Sequence, residues 1–139
     1  MAVSLDELIT KHWDELVDDV AKDAICQIPS YHAAPIRITV GRIERWLKTL
    51  GESIRRNDPH VMAGFLAAVG EERKEAGYGA EEMQALMDIT DRRLRDLVVR
   101  KFTDPIEQAG QLALLDAVIG SARMVLSVNY VRDADKGGA

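Results

Sequence analysis

The sequence predicts an all-α fold of five principal helices, and three observations carry that prediction. Apolar residues recur at spacings of three and four along most of the 139 residues. No stretch of useful length alternates apolar and polar residues as a half-buried strand would. Helix-start signals, Ser4-x-x-Glu7, Asp58-Pro59 and Asp104-Pro105, stand ahead of the periodic runs.

Ser4-Leu5-Asp6-Glu7 reads as a capping box, in which serine and glutamate side chains satisfy each other's backbone donors. The first helix then carries Leu5, Leu8, Ile9, His12, Leu16 and Val20 on one face, widened by Trp13 and Val17, until Pro29 stops it. Residues 28–35, with Pro29 and Pro35 and no period, read as a loop. Helical spacing resumes through Ile36, Val40, Ile43, Leu47, Leu50 and Ile54 to about Asn57.

Asp58-Pro59 opens a third helix that buries Val61, Met62, Phe65, Leu66 and Val69, and Gly77 is placed to end it in a left-handed turn. The fourth helix takes Met83, Leu86, Met87, Thr90, Leu94, Leu97, Val98 and Lys101 down one face. Thr103-Asp104-Pro105 opens a fifth, running to about Val131. Leu112, Leu114, Leu115, Val118, Ile119, Val125 and Leu126 cover most of its circumference and leave Asp116 and Arg123 on a narrow polar strip. Such a helix needs cover on several sides, so it is either the central helix or part of a subunit interface. One domain over residues 1–139 is expected, its ordered core about 4–131 and residues 132–139 a flexible tail.

Eighteen basic residues against 23 acidic give a net charge of −5, with no basic block of the kind that tracks phosphates, so nucleic acid is not an expected partner. Cys26 is the one cysteine, which excludes an intramolecular disulfide and fits a reducing, cytoplasmic setting. The N-terminus lacks the basic and apolar regions of a signal peptide. No window approaches 18 uninterrupted apolar residues, so a soluble protein with no membrane partner is expected.

Chemistry-bearing residues arrive without companions. The glycine-rich stretch Gly70–Glu82 lacks the terminal Lys-Ser/Thr of a phosphate loop, and no strand precedes it. His12 lies on or beside the apolar face of the first helix with no ligand-type partner three or four residues away. His32 and His60 fall in a loop and at a helix start. Ser30, Tyr31 and His32 are adjacent, and adjacent residues rarely converge as nucleophile and base. Arg92, Arg93, Arg95, Arg100 and Lys101, interleaved with Asp91 and Asp96, read as an ion-paired helix face. No catalytic residue is therefore assigned. Were the chain an enzyme, Glu72 and His12 would be the first residues to test.

The order of signals resembles a known family. A capped helix, Ile28-Pro29-Ser30-Tyr31, a long helix through Leu47 and Leu50, Asn57-Asp58-Pro59, Gly70-Glu71-Glu72-Arg73 and Gly77-Tyr78-Gly79-Ala80-Glu81-Glu82-Met83 look like the N-terminal sensor domain of RsbR-type stressosome proteins, the RsbT co-antagonists. Related domains precede PucR-like regulators and sensor kinases. The resemblance covers about residues 5–131 and implies a globin-like or bundle arrangement without haem or other cofactor, homodimerisation, and a sensory role in signal transduction with no catalysis. By resemblance Glu72, Arg73 and Gly77 are the family signature, structural in role. Family members continue into a phosphorylatable STAS output domain, which the 139 residues do not include; they are expected to be either a stand-alone sensor-like module or a fragment, with a separate regulatory or output protein as the expected partner.

Two further expectations complete the reading. A small apolar ligand lodged between helices would be lined by Trp13, Met62, Phe65 and Met87, each of which also suits plain core packing. The rival function is a haem-binding, gas- or redox-sensing globin with His12 or His60 as the iron ligand.

Overall fold

The structure, a computed structural model, describes residues 4–56, 58, 61, 64–65, 68 and 80–137. Among them all regular structure is helical: α1 (Leu5–Lys11), α2 (Trp13–Gln27), α3 (Pro29–Ala33), α4 (Ile36–Arg56), α5 (Ala80–Lys101) and α6 (Pro105–Gly137). The all-α class is as the periodicity predicts, and the count is six rather than five. Val61, Gly64, Phe65 and Ala68 are helical too, while most of the third helix expected after Asp58-Pro59, with Met62 and His60, lies outside the described residues.

Two local corrections account for the extra helices. The single long first helix is interrupted at His12, whose φ of −108° and ψ of 26° leave the α region and turn α2 away from α1. The apolar period runs straight through this break because Leu8, Ile9, Leu16 and Val17 are buried on both sides of it. The expected loop at 28–35 holds the short helix α3. Ile28 is extended, as a residue before proline prefers, and Pro29 then occupies the first helical position, where its missing N–H costs nothing.

Ser4 is the N-cap of α1, yet its hydroxyl does not cap. It donates to Asp6 Oδ1 at 2.6 Å, and the Leu5 amide donates to Gln111 Oε1 on α6 at 3.1 Å. The expected box does not form because its hydroxyl is diverted to Asp6, and a distant side chain satisfies a different amide of the first turn. The end of α5 is closed similarly, by Gln108 Nε2 donating to the carbonyls of Val99 at 3.2 Å and Phe102 at 3.0 Å. Orphan carbonyls of a helix end are satisfied this way without a glycine cap.

Helix α2 is the hub of the packing, set against α1, α3, α4 and α5, while α6 lies chiefly on α5 and, less extensively, on α4. The shared core centres on Ile43, Trp46, Leu47 and Leu50 of α4, Leu94 and Val98 of α5, Val20 and Ala24 of α2, and Leu115 and Leu126 of α6. Trp46 is the largest fully buried side chain. Its Nε1 donates to Thr90 Oγ1 at 2.8 Å, and that hydroxyl donates to the Leu86 carbonyl at 2.8 Å. Lys101, expected on the buried face of its helix, is exposed, and Ile89 is buried instead.

The last helix is not central. Leu115, Val118, Ile119, Ala122 and Leu126 are buried against the body, whereas Ile106, Met124 and Val128 are 82%, 69% and 46% exposed. The backbone also continues helical past Val131 to Gly137, where the sequence predicts a tail.

Candidate functional site

Three features outside the core hold polar chemistry or unsatisfied surface. The first is an ion-paired seam between α2 and α5. Arg93 grips Asp23 with two hydrogen bonds, Nε to Oδ2 at 2.6 Å and Nη2 to Oδ1 at 2.9 Å, and lies 3.9 Å from Asp19. Two turns further along α5, Arg100 approaches Glu15 at 3.6 Å, and Glu15 approaches His12 Nδ1 at 3.6 Å. Within α5, Arg95 pairs with Asp91 and Arg100 with Asp96, both at 3.0 Å, as the interleaved charges predict. The cross-helix pairs were not legible, because nothing local says that α2 faces α5.

His12, Glu15, Leu16, Asp19, Arg93, Asp96, Leu97 and Arg100 line a cleft of about 10 Å³ here. Small-molecule sites typically measure roughly 300–1,000 Å³, so the seam works as a weld between helices and has no room at His12 for a haem. Among the described residues no group of three or more His, Cys, Asp and Glu is placed to hold a metal ion.

The seam carries a pH signature. Hydrogen bonds from Arg93 hold the Asp23 carboxyl below its ordinary range, against the opposing effect of partial burial. A carboxyl depressed on folding contributes stability that is fully present above its unfolded pKa of about 3.9 and is lost as pH falls through the lower folded value. Asp23→Asn is therefore expected to cost about 1–2 kcal/mol at pH 7, screened by the half-exposed arginine, and much less near pH 2. Urea midpoints at the two pH values check this; an equal loss at both would remove the ion pair as the cause.

A second polar junction ties two sequence motifs together. The Ser30 amide, in the first turn of α3, donates to Glu82 Oε1 at 3.1 Å, while Thr39 Oγ1 donates to the Tyr31 carbonyl at 3.2 Å. Arg42 lies over the Tyr31 ring at 5.8 Å. Among the described residues, nothing hydrogen-bonds to the buried Ser30 Oγ, Arg42 Nη1 and Glu82 Oε2. Glu82 thus spends one oxygen on a backbone donor and leaves the other bare. Glu82→Gln, which keeps an acceptor for Ser30 and removes the charge, is expected to leave stability within about 0.5 kcal/mol, whereas Glu82→Ala is expected to cost about 1–2 kcal/mol. Equal losses in thermal unfolding would mean the Ser30 contact contributes nothing.

The four residues proposed to line an apolar pocket have different surroundings. Trp13 borders an open groove of about 290 Å³ with Asp14, Val17, Asp18, Val40 and Glu44. Phe65 is half-buried and tilts against Trp46 at 6.3 Å between ring centres. Met87 is buried in the core, and Met62 lies outside the described residues. Glu72, Arg73 and Gly77 also lie outside them.

The third feature is the free face of α6. Ile106, Gly110, Ala113, Ala117, Gly120 and Met124 follow at alternating intervals of four and three, and every one is exposed. Between Gln108 and Val131 the only charged residues are Asp116 and Arg123. They edge this face on the side of α5, where Asp116 pairs with Arg95, and Arg123 with Asp88 at 2.6 Å. From Ile106 to Val128 the uncharged face runs about 33 Å. Pro105–Val128 is long and apolar enough, by length and composition, to cross a membrane, and 28% of its most apolar window is buried. No single uninterrupted apolar run marks it in the sequence, since Asp116 and Arg123 break the count. Comparison of the chain with protein-family models, with curated proteins and with solved structures finds no match.

Proposed function

We propose that this chain is a non-enzymatic, cytoplasmic regulatory input module, a haem-free relative of globin-like sensor domains, that works as a homodimer and passes its signal to a separate output protein by direct contact. The free face of α6 is the observation that supports this reading. An exposed apolar surface of this length stays uncovered at a cost of roughly 25 cal/mol per Å² and marks an interaction site. The chemistry around it agrees: the polar seam between α2 and α5 is consumed in internal ion pairs, and its cleft at His12 has no room for a haem.

A bilayer is the less favourable cover. Asp116 would sit at the middle of the span, where a charged residue costs about 2.5–3.5 kcal/mol, and together with Arg123 it holds α6 to a helix rich in arginine and aspartate. The test is the light-scattering mass of the purified chain, with its absorption from 300 to 600 nm on the same peak. A colourless species near twice 15.4 kDa that becomes monomeric on Ala117→Glu is expected. A dimer indifferent to that substitution, a monomeric wild type, or a coloured peak would overturn the reading.

A further inference from the structure

The α6 face carries a charge pattern and a glycine pattern that together specify its cover. We infer that it is occupied by α6 of a second copy, crossing antiparallel with Ala117 of each chain opposite Gly120 of the other; the inference rests on the contact role proposed for this face.

Numbered as a heptad, Gly110, Ala117 and Met124 take one seam position and Ile106, Ala113 and Gly120 the other. Asp116 and Arg123 then fall on the same flank of the seam, seven residues apart. In a parallel pair this flank meets the opposite flank, where Ser121 and Val128 stand, and neither charge finds a partner. In an antiparallel pair the flank meets itself. Asp116 then lies beside Arg123 of the second copy, and two-fold symmetry makes that contact twice. Asp116 keeps a side-chain exposure of 62% beside its bond to Arg95, and Arg123 one of 35%, so both have room for it.

The glycines point the same way. A Cβ added at Gly110 or Gly120 meets nothing within 4 Å among the described residues. Glycine inside a helix costs roughly 0.5–1 kcal/mol relative to alanine, and nothing in this chain's own packing requires it at either position. With Ala113 and Ala117 they make the centre of the face flat, which lets a second helix approach at the short end of the 8–10 Å interaxial range. A second copy brings the same flat centre, with Met124 of one chain filling the space over Ala113 of the other.

The test uses the full chain with its exposed native thiol removed, Cys26→Ser. Met124→Cys is compared, alone and together with Ala113→Cys, under mild oxidation on a non-reducing gel. The antiparallel register expects a band at twice 15.4 kDa from the double variant only. Positions 113 and 124 of one chain are about 16 Å apart along the helix, beyond the roughly 7 Å that a disulfide allows, so the bond must be between chains. Covalent dimer from Met124→Cys alone shows a parallel pair and overturns the register while leaving the contact face intact. A light-scattering dimer that neither variant cross-links places the contact on another face. A monomer overturns this inference and the contact reading together.

Discussion

Replacing Trp46 by alanine is expected to destabilise the fold by about 3–5 kcal/mol, the usual loss for truncating a large buried aromatic. Small domains have about 5–15 kcal/mol in total, so the variant would sit near the edge of folding. The size of the effect follows from the position. Trp46 is 2% exposed, lies against Phe65, and sends its indole N–H to Thr90 on α5. Removing it opens a cavity between α4 and α5, the helices that flank α2.

The hydrogen bond separates from the packing by companion variants. Thr90→Val leaves a buried N–H without an acceptor and is expected to cost about 1–3 kcal/mol. Trp46→Phe also loses the bond, but Thr90 still donates to the Leu86 carbonyl, so the stranded group is avoided. The double variant Trp46→Phe, Thr90→Val should therefore cost less than the sum of the two single changes. Urea unfolding with unchanged slope is the measurement. A Trp46→Ala loss under 1 kcal/mol would show that the space collapses and that the α4–α5 contact is not central.

Ala117→Glu is expected to weaken self-association at least 100-fold, about 2.7 kcal/mol at 1.4 kcal/mol per tenfold, while leaving the fold nearly untouched. Ala117 is exposed in the single chain, where glutamate is a good helix former, so folding stability should move by no more than about 0.5 kcal/mol. In the dimer the same carboxylate lies at the centre of the seam opposite Gly120, and the nearest base, Arg123 of the second copy, is already taken by Asp116, so burying the added charge costs several kcal/mol. Glutamate is a sterner probe than lysine, whose longer stem carries its charge out to the rim. Dissociation constants from sedimentation, with thermal midpoints in parallel, give the answer. A fall in thermal midpoint without a change in association would make Ala117 a folding position instead.

Much of the helical layout was legible because its signals are local. Prolines at 29, 35 and 105, the apolar period of α4 and α5, and the start of α6 act within one or two turns, and each falls where the structure has it. His12 shows the limit of the period. The break there leaves residues on both sides buried, so apolar spacing registers continuous burial and misses the turn. The Ser4 capping box fails because Asp6, two residues on, takes the serine hydroxyl, while the Leu5 amide is met from 106 residues away by Gln111 of α6, a contact that no local signal shows. The site was legible in part: Asp116 and Arg123 stand out as the polar strip of a helix apolar on most sides.

The helical class and the position of most helices follow from the order of residues alone, because a hydrophobic stripe and a proline bias the backbone wherever the rest of the chain lies. The tertiary structure alone decided which stripes are answered. It joined Ser30 to Glu82 and Asp23 to Arg93 across long separations, put α2 rather than α6 at the hub, and left one face of α6 bare. The reason is that burial is non-directional. A sequence shows that a surface favours leaving water, and only the packing of all the helices shows which surfaces have run out of partners within the chain.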